Sequence, residues 1–258
     1  DDLPLSTFVR TFFNFVFPFT RFALILLPLV LVPLCIGFFG DIDAGEIIAG
    51  FALSLFYGAA AVSLSVFFYT IFSPQKAFIV SALLFFFAGF ASLSETLRPL
   101  TFAYRADTAA KGIVDTRDIV FFCTVSAFFL FAAFIASEKK RGNFFPRNER
   151  YMYVVILLII IFVFLNGKRY YARIDLTKNK TFSLSDYGEK TLSRLTSPLT
   201  ITYYRSPRIA SVYPSSRDVY EYVKMYAREN PAVNVAVKDP DALVNLTLCL
   251  LNHLLDAR

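Results

Sequence analysis

The chain reads as an α-helical membrane bundle of at least five transmembrane helices, followed by a partial extracytoplasmic α/β domain of β-α-β type. Three observations predict this. The 258 residues are 56% apolar and only 18% charged, a composition foreign to a soluble domain of this size. Five runs free of Asp, Glu, Lys, Arg and His approach the length that crosses about 30 Å of hydrocarbon at about 1.5 Å per residue. After Gly167 the sequence becomes polar and mixed, with strand and helix periodicities of its own.

The apolar stretch Thr11–Thr20 (TFFNFVFPFT) is too short to cross and holds Pro18, so residues 1–21 read as an interfacial or truncated membrane segment. No signal peptide is visible, because the chain starts on two Asp without a basic n-region. The charge-free runs are Phe22–Phe39, Ile47–Phe72, Ala77–Ser94, Ile119–Ser137 and Tyr151–Gly167. The first four make a bundle over 22–137, residues 138–150 a basic cytoplasmic linker, and 151–167 a fifth anchor. Tyr151, Tyr153, Tyr170 and Tyr171 bracket that anchor as an interfacial belt does. Small residues in the second run, among them Gly50, Gly58, Ala60 and Ser63, suit close helix packing within a bundle or between two copies.

Loop charge sets the orientation. Gly40–Glu46 (GDIDAGE) carries Asp41, Asp43 and Glu46 and no base, whereas residues 138–150 carry Lys139, Lys140, Arg141, Arg147 and Arg150. The positive-inside rule therefore places Arg21, Lys76 and the 138–150 linker in the cytoplasm, and Gly40–Glu46, Glu95–Asp118 and everything after Gly167 outside. Lys168, Arg169, Arg173, Lys178 and Lys180 pull the other way, but long C-terminal domains translocate largely regardless of charge.

In the 168–258 domain, Leu199–Tyr204 (LTITYY) is β-branched and aromatic and reads as a strand. Ser215 or Ser216 caps a helix with apolar Val219, Tyr222, Val223 and Tyr226 on one face. Val233–Val237 alternates with period two and closes a β-α-β unit, whose parallel strands want cover on both faces. Ala242–Leu255 is an apolar stretch suited to a helix on a sheet the chain does not supply. The domain therefore reads as incomplete, with a segment absent near residues 241–245.

Arg173–Ser185 (RIDLTKNKTFSLS) is similar to the R-x-D-L-T-x-x-K-x-[YF]-[ST]-L-[ST] signature after the membrane anchor of the auxiliary subunit in the gliding-associated GldF/GldG family of type-2 ABC transporters. The residues carrying it are Arg173, Asp175, Leu176, Thr177, Lys180, Phe182, Ser183, Leu184 and Ser185. The order that follows also resembles that subunit, with a short helix at Asp186–Leu195, then a strand, a helix, and a strand ending in Asp239-Pro240. Asp2–Ser6, Gly40–Gly45 (GDIDAG), Ser73–Ala77 and Gly112–Asp118 (GIVDTRD) resemble loops of the family's permease. The resemblance implies a permease fused to its auxiliary subunit, and, because the family's extra N-terminal span and cytoplasmic coupling stretch are not matched, a segment absent near residues 20–21. It implies a separate ABC ATPase subunit, pairing as a homodimer or pseudo-dimer, contact with membrane lipid, and an outer domain facing an envelope protein or substrate.

Chemistry is scarce. No G-x-x-x-x-G-K-[ST] loop is present, so the chain has no phosphate-cradling loop of that kind, and the resemblance then implies that ATP hydrolysis belongs to another chain and that this one is not an enzyme. His253 stands alone in a leucine-rich stretch, and Cys35, Cys123 and Cys249 are widely spaced and read as small apolar fillers. Asp41, Asp43 and Glu46 read as a solvated acidic turn rather than a cation site. Lys168–Arg173 (KRYYAR), beside a span, reads as headgroup contact and not as a nucleic-acid site. No catalytic, cofactor-binding or metal residue is assigned. Charge-free runs argue against an ion-coupled transporter. The rival to an ABC exporter subunit is a membrane-anchored scaffold that recruits an envelope complex without transport.

Overall fold

The computed structural model describes residues 6–40, 42–90, 101–142, 147–167, 171–206 and 215–240. The chain divides into two compact units, Asp1–Asn179 and Lys180–Arg258.

The first unit contains α1 (Thr7–Ile36), α2 (Ala44–Ile71), α3 (Pro74–Phe90), α4 (Phe102–Ala110), β1 (Ile113–Asp115), α5 (Thr116–Lys140), α6 (Arg147–Gly167) and β2 (Arg173–Asp175). Three helices among the described residues are long and apolar enough to cross a membrane, over Thr7–Pro33, Ala44–Ile71 and Thr116–Lys140. Pro74–Ala88 and Tyr151–Gly167 are shorter apolar helices.

The first helix corrects the sequence reading. Thr11–Thr20 is not a separate interfacial piece, because one helix of 30 residues runs from Thr7 through Pro18, Pro28 and Pro33 to Ile36. Prolines are tolerated in such helices where neighbouring groups re-satisfy the backbone. The Thr11 and Thr20 hydroxyls donate to the carbonyls four residues back, Thr7 and Val16, at 2.9 Å, which are not the carbonyls of residues 14, 24 and 29 that the prolines free. Arg21, expected at a cytoplasmic end, instead falls in mid-helix on an exposed face.

Helix α2 is the centre of the unit. Its buried face includes Ala49, Leu53, Gly58, Ala60, Ser63 and Leu64. Gly58 has no room for a Cβ because the Phe22 ring of α1 lies against it, and this close approach is what the small residue permits. Tyr57 meets Phe102, Phe122 and Phe85 at ring separations of 4.3, 5.8 and 6.3 Å, which ties α2 to α4, α5 and α3. A second pair, Phe67 and Phe129, shows that α2 and α5 run parallel. Phe121–Phe164 and Phe131–Tyr153 contacts make α6 antiparallel to α5. The outward faces stay apolar, as at Leu29, Phe86, Phe87, Leu158 and Phe162, which is the surface a bilayer requires. Cys35 and Cys123 are also exposed, so they do not fill the interior as read from sequence.

The second unit holds α7 (Asp186–Ser193), β3 (Leu199–Tyr204), α8 (Ser215–Glu229) and β4 (Val233–Lys238). The β-α-β unit forms as read: β3 and β4 pair in parallel from Leu199↔Val233 to Tyr204↔Lys238. Tyr203 stacks on Tyr220 of α8, 6.5 Å between centroids. Asn230 joins the pieces, donating from Nδ2 to the Leu192 and Leu195 carbonyls at 2.6 and 3.1 Å and accepting from the Ala232 N–H at 2.8 Å. The expected helix over Ala242–Leu255, with His253, Cys249 and Asn245, lies outside the described residues.

Candidate functional site

One end of the helical unit gathers three segments that are far apart in sequence: 42–46, 112–118 and 171–178. Each does something local first. Asp43 caps α2, its Oδ1 accepting the Gly45 N–H at 2.8 Å. Asp115 caps α5, accepting the Arg117 N–H at 2.9 Å. Both carboxylates therefore sit at the positive ends of parallel helix dipoles. Asp175 holds a tight turn after β2, accepting from the Thr177 N–H at 2.9 Å and from its hydroxyl at 2.5 Å.

The segments then lock together. β1 and β2 pair antiparallel, with Ile113↔Asp175, Val114↔Ile174 and Asp115↔Arg173 in register. The Thr116 N–H donates to the Ala172 carbonyl at 3.0 Å, and the Leu176 N–H to the Gly112 carbonyl at 2.9 Å. Asp43 has a second task, since its Oδ2 accepts the Lys178 N–H at 2.9 Å. The sequence reading of a solvated acidic turn is thus wrong for Asp43, which bridges a helix cap and the chain leaving the bundle. Glu46 is exposed, and Asp41 lies outside the described residues.

Two glycines make the fit possible. A Cβ on Gly45 would lie 2.1 Å from the Leu176 carbonyl oxygen, so only glycine lets that backbone approach. Gly112 has φ of +75°, and a Cβ there would lie 2.8 Å from the Thr177 methyl.

Charge is buried under this joint and is paired. Arg105 of α4 donates to Asp118 at 2.5 Å, both side chains nearly inaccessible, and its guanidinium lies 3.7 Å from the Phe121 ring centroid. Asp115, 3% exposed, receives Arg117 through Nε at 2.9 and 3.0 Å, with Arg173 Nε at 3.8 Å. Arg117 in turn lies over the Tyr171 ring at 3.7 Å. Burial this deep is tolerated because Asp115 and Asp118 meet guanidinium groups, while Asp175 accepts an N–H and a hydroxyl from Thr177.

Of the nine signature residues, Arg173, Asp175, Leu176 and Thr177 enter this joint. Lys180, Phe182, Ser183, Leu184 and Ser185 belong to the second unit. There Lys180 takes a left-handed φ of 50°, its carbonyl accepts the Ser183 N–H at 3.1 Å, and Ser185 caps α7 through the Gly188 N–H at 3.2 Å. Sequence reasoning missed Arg105, Gly45 and Gly112 as participants. The available signal was Arg105 itself, a lone base in a segment rich in small and apolar residues. No group of three His, Cys, Asp or Glu that suits a metal occurs among the described residues.

A family profile described only as a domain of unknown function (DUF7088) matches residues 178–246. No curated protein and no solved structure matches the chain.

Proposed function

We propose that the chain is the transmembrane subunit of an ATP-driven exporter of the ABC type, in which a permease and its auxiliary domain are one polypeptide. In this reading α1, α2, α3, α5 and α6 cross a bacterial cytoplasmic membrane, and the domain after Gly167 lies outside the cytoplasm. A separate ATPase supplies the energy, and the outer domain meets substrate or an envelope partner.

The observation that carries the reading is the β1–β2 pair. It joins the permease-like GIVDTRD segment to the auxiliary-like RIDLT segment, so the two halves of the resemblance meet at one joint. A tilt of α2 against α5, driven from the ATPase, would pass through Asp43 and Asp115 to the exiting chain. Orientation has support too. The three segments that loop charge assigns to one side are in mutual contact. Lys139, Lys140 and Arg141 gather at the opposite end, where Arg141 donates to Thr7 at 3.0 Å.

The test is purification of the full chain from its native membrane. A stoichiometric P-loop ATPase, whose hydrolysis falls several-fold when β1–β2 pairing is broken, supports the proposal. Envelope proteins without any ATPase would replace it with the scaffold.

A further inference from the structure

Arg21 lies at the middle of the candidate span Thr7–Pro33, with about 20 Å of helix on either side at about 1.5 Å per residue. Its depth is fixed independently, since the neighbouring Phe22 packs on Gly58 near the middle of the 28 residues of α2. In a bilayer core of about 30 Å, either headgroup layer is about 15 Å away. An arginine stem of about 7 Å cannot snorkel that far. Leaving such a charge in hydrocarbon disfavours insertion by about a hundredfold, so a residue of this kind normally has a partner.

The face that bears Arg21 is open. Asn14, Phe17, Pro18 and Arg21 recur at helical spacing on exposed positions of α1, and the first three line a groove of about 600 Å³ walled by α2 and α3. Ser81 of α3 lines the same groove. It is 8% exposed, and its hydroxyl has no hydrogen-bond partner among the described residues. The exposed guanidinium, one helical turn beyond the groove residues Phe17 and Pro18, calls for a polar group from an incoming element.

Among the described residues, the apolar helices of a second copy do not bring the required charge. The groove helices carry one acid, Glu46, in the first turn of α2. The remaining acids of α5 and α6 also lie close to helix ends, at Asp118, Glu138 and Glu149. An anionic lipid cannot bring it either, because its charge stays at the headgroup. From the α1–α2–α3 groove and the exposed Arg21 one turn beyond its lining at mid-depth, we infer that this face receives a transmembrane helix of a different chain carrying an Asp or Glu at the centre of its span.

The full chain has no Trp, so Phe17→Trp gives a single reporter in the groove and Phe162→Trp a control on the exposed face of α6. The probes are Leu/Ala-rich transmembrane peptides of about 20 residues, each bearing a quencher and a central Glu, Leu or Lys, co-reconstituted with the full chain in phosphatidylcholine vesicles. The Glu peptide is expected to quench the groove reporter at about tenfold lower mole fraction than the Leu or Lys peptide. That preference disappears with Arg21→Leu, and the control reporter shows none. Arg21→Leu places an apolar side chain on an exposed site, so folding survives and the comparison remains readable. Equal quenching by the three peptides, a Glu preference that persists in Arg21→Leu, or the same preference at position 162 would each overturn the inference. None of these outcomes depends on whether an ATPase is found.

Discussion

Two arginines of this chain, Arg105 and Arg21, meet opposite fates. Arg105 sits at the strand-paired end of the bundle, bound to Asp118 and covered by Phe121, inside a joint that also engages Asp43, Asp115 and Asp175. Arg21 lies at the middle of α1, on an exposed face, beside helices without an acid at its depth. The bundle thus resolves its own charges where the chain leaves it, and leaves one outstanding on its flank. Rigid closure belongs to the first region and recruitment to the second.

The strongest way to break this comparison is at Gly45. A Val there drives side-chain carbon into the Leu176 carbonyl, and we expect thermal unfolding of the detergent-solubilised chain to report a loss of about 4 kcal/mol. Gly50→Ala, with nothing within 4 Å of its Cβ, should change little. Next in size is Asp118→Leu, which strands Arg105 and should cost about 3 kcal/mol, whereas Arg105→Met combined with Asp118→Leu should recover most of it. The same melting experiment should show about 2 kcal/mol for Gly58→Ala, because Phe22 must give way between α1 and α2. Smallest of all, Arg21→Leu should stay within about 0.5 kcal/mol of the parent. A loss comparable to that of Asp118→Leu would mean that Arg21 is held within the unit after all.

Much of the fold was legible because its signals are local. β3, α8 and β4 appear where a β-branched run, helical spacing and a period-two pattern put them, although Ser215 and Ser216 fall inside α8 rather than before it, and α7 starts at its predicted residue but ends at Ser193 rather than Leu195. Charge-free runs located the apolar helices. What failed was the start of α1: a short apolar stretch with a proline, followed by a base, read as a break, whereas the helix runs on through both Pro18 and Arg21. The joint was partly legible, since GDIDAG, GIVDTRD and RIDLT each stood out as motifs. Their meeting was not, because an Asp at a helix start looks the same whether it ends in water or accepts a second N–H from residue 178.

Composition and charge placement, which require no knowledge of contacts, were enough to set the membrane character and the apolar segments, because hydrocarbon accepts only long stretches with their backbone satisfied internally. Which arginine is covered and which is exposed was decided only by tertiary structure. Burial and pairing depend on where α4, α5 and the strand after α6 converge in space, over separations such as the 135 residues between Asp43 and Lys178, and no local pattern encodes that convergence.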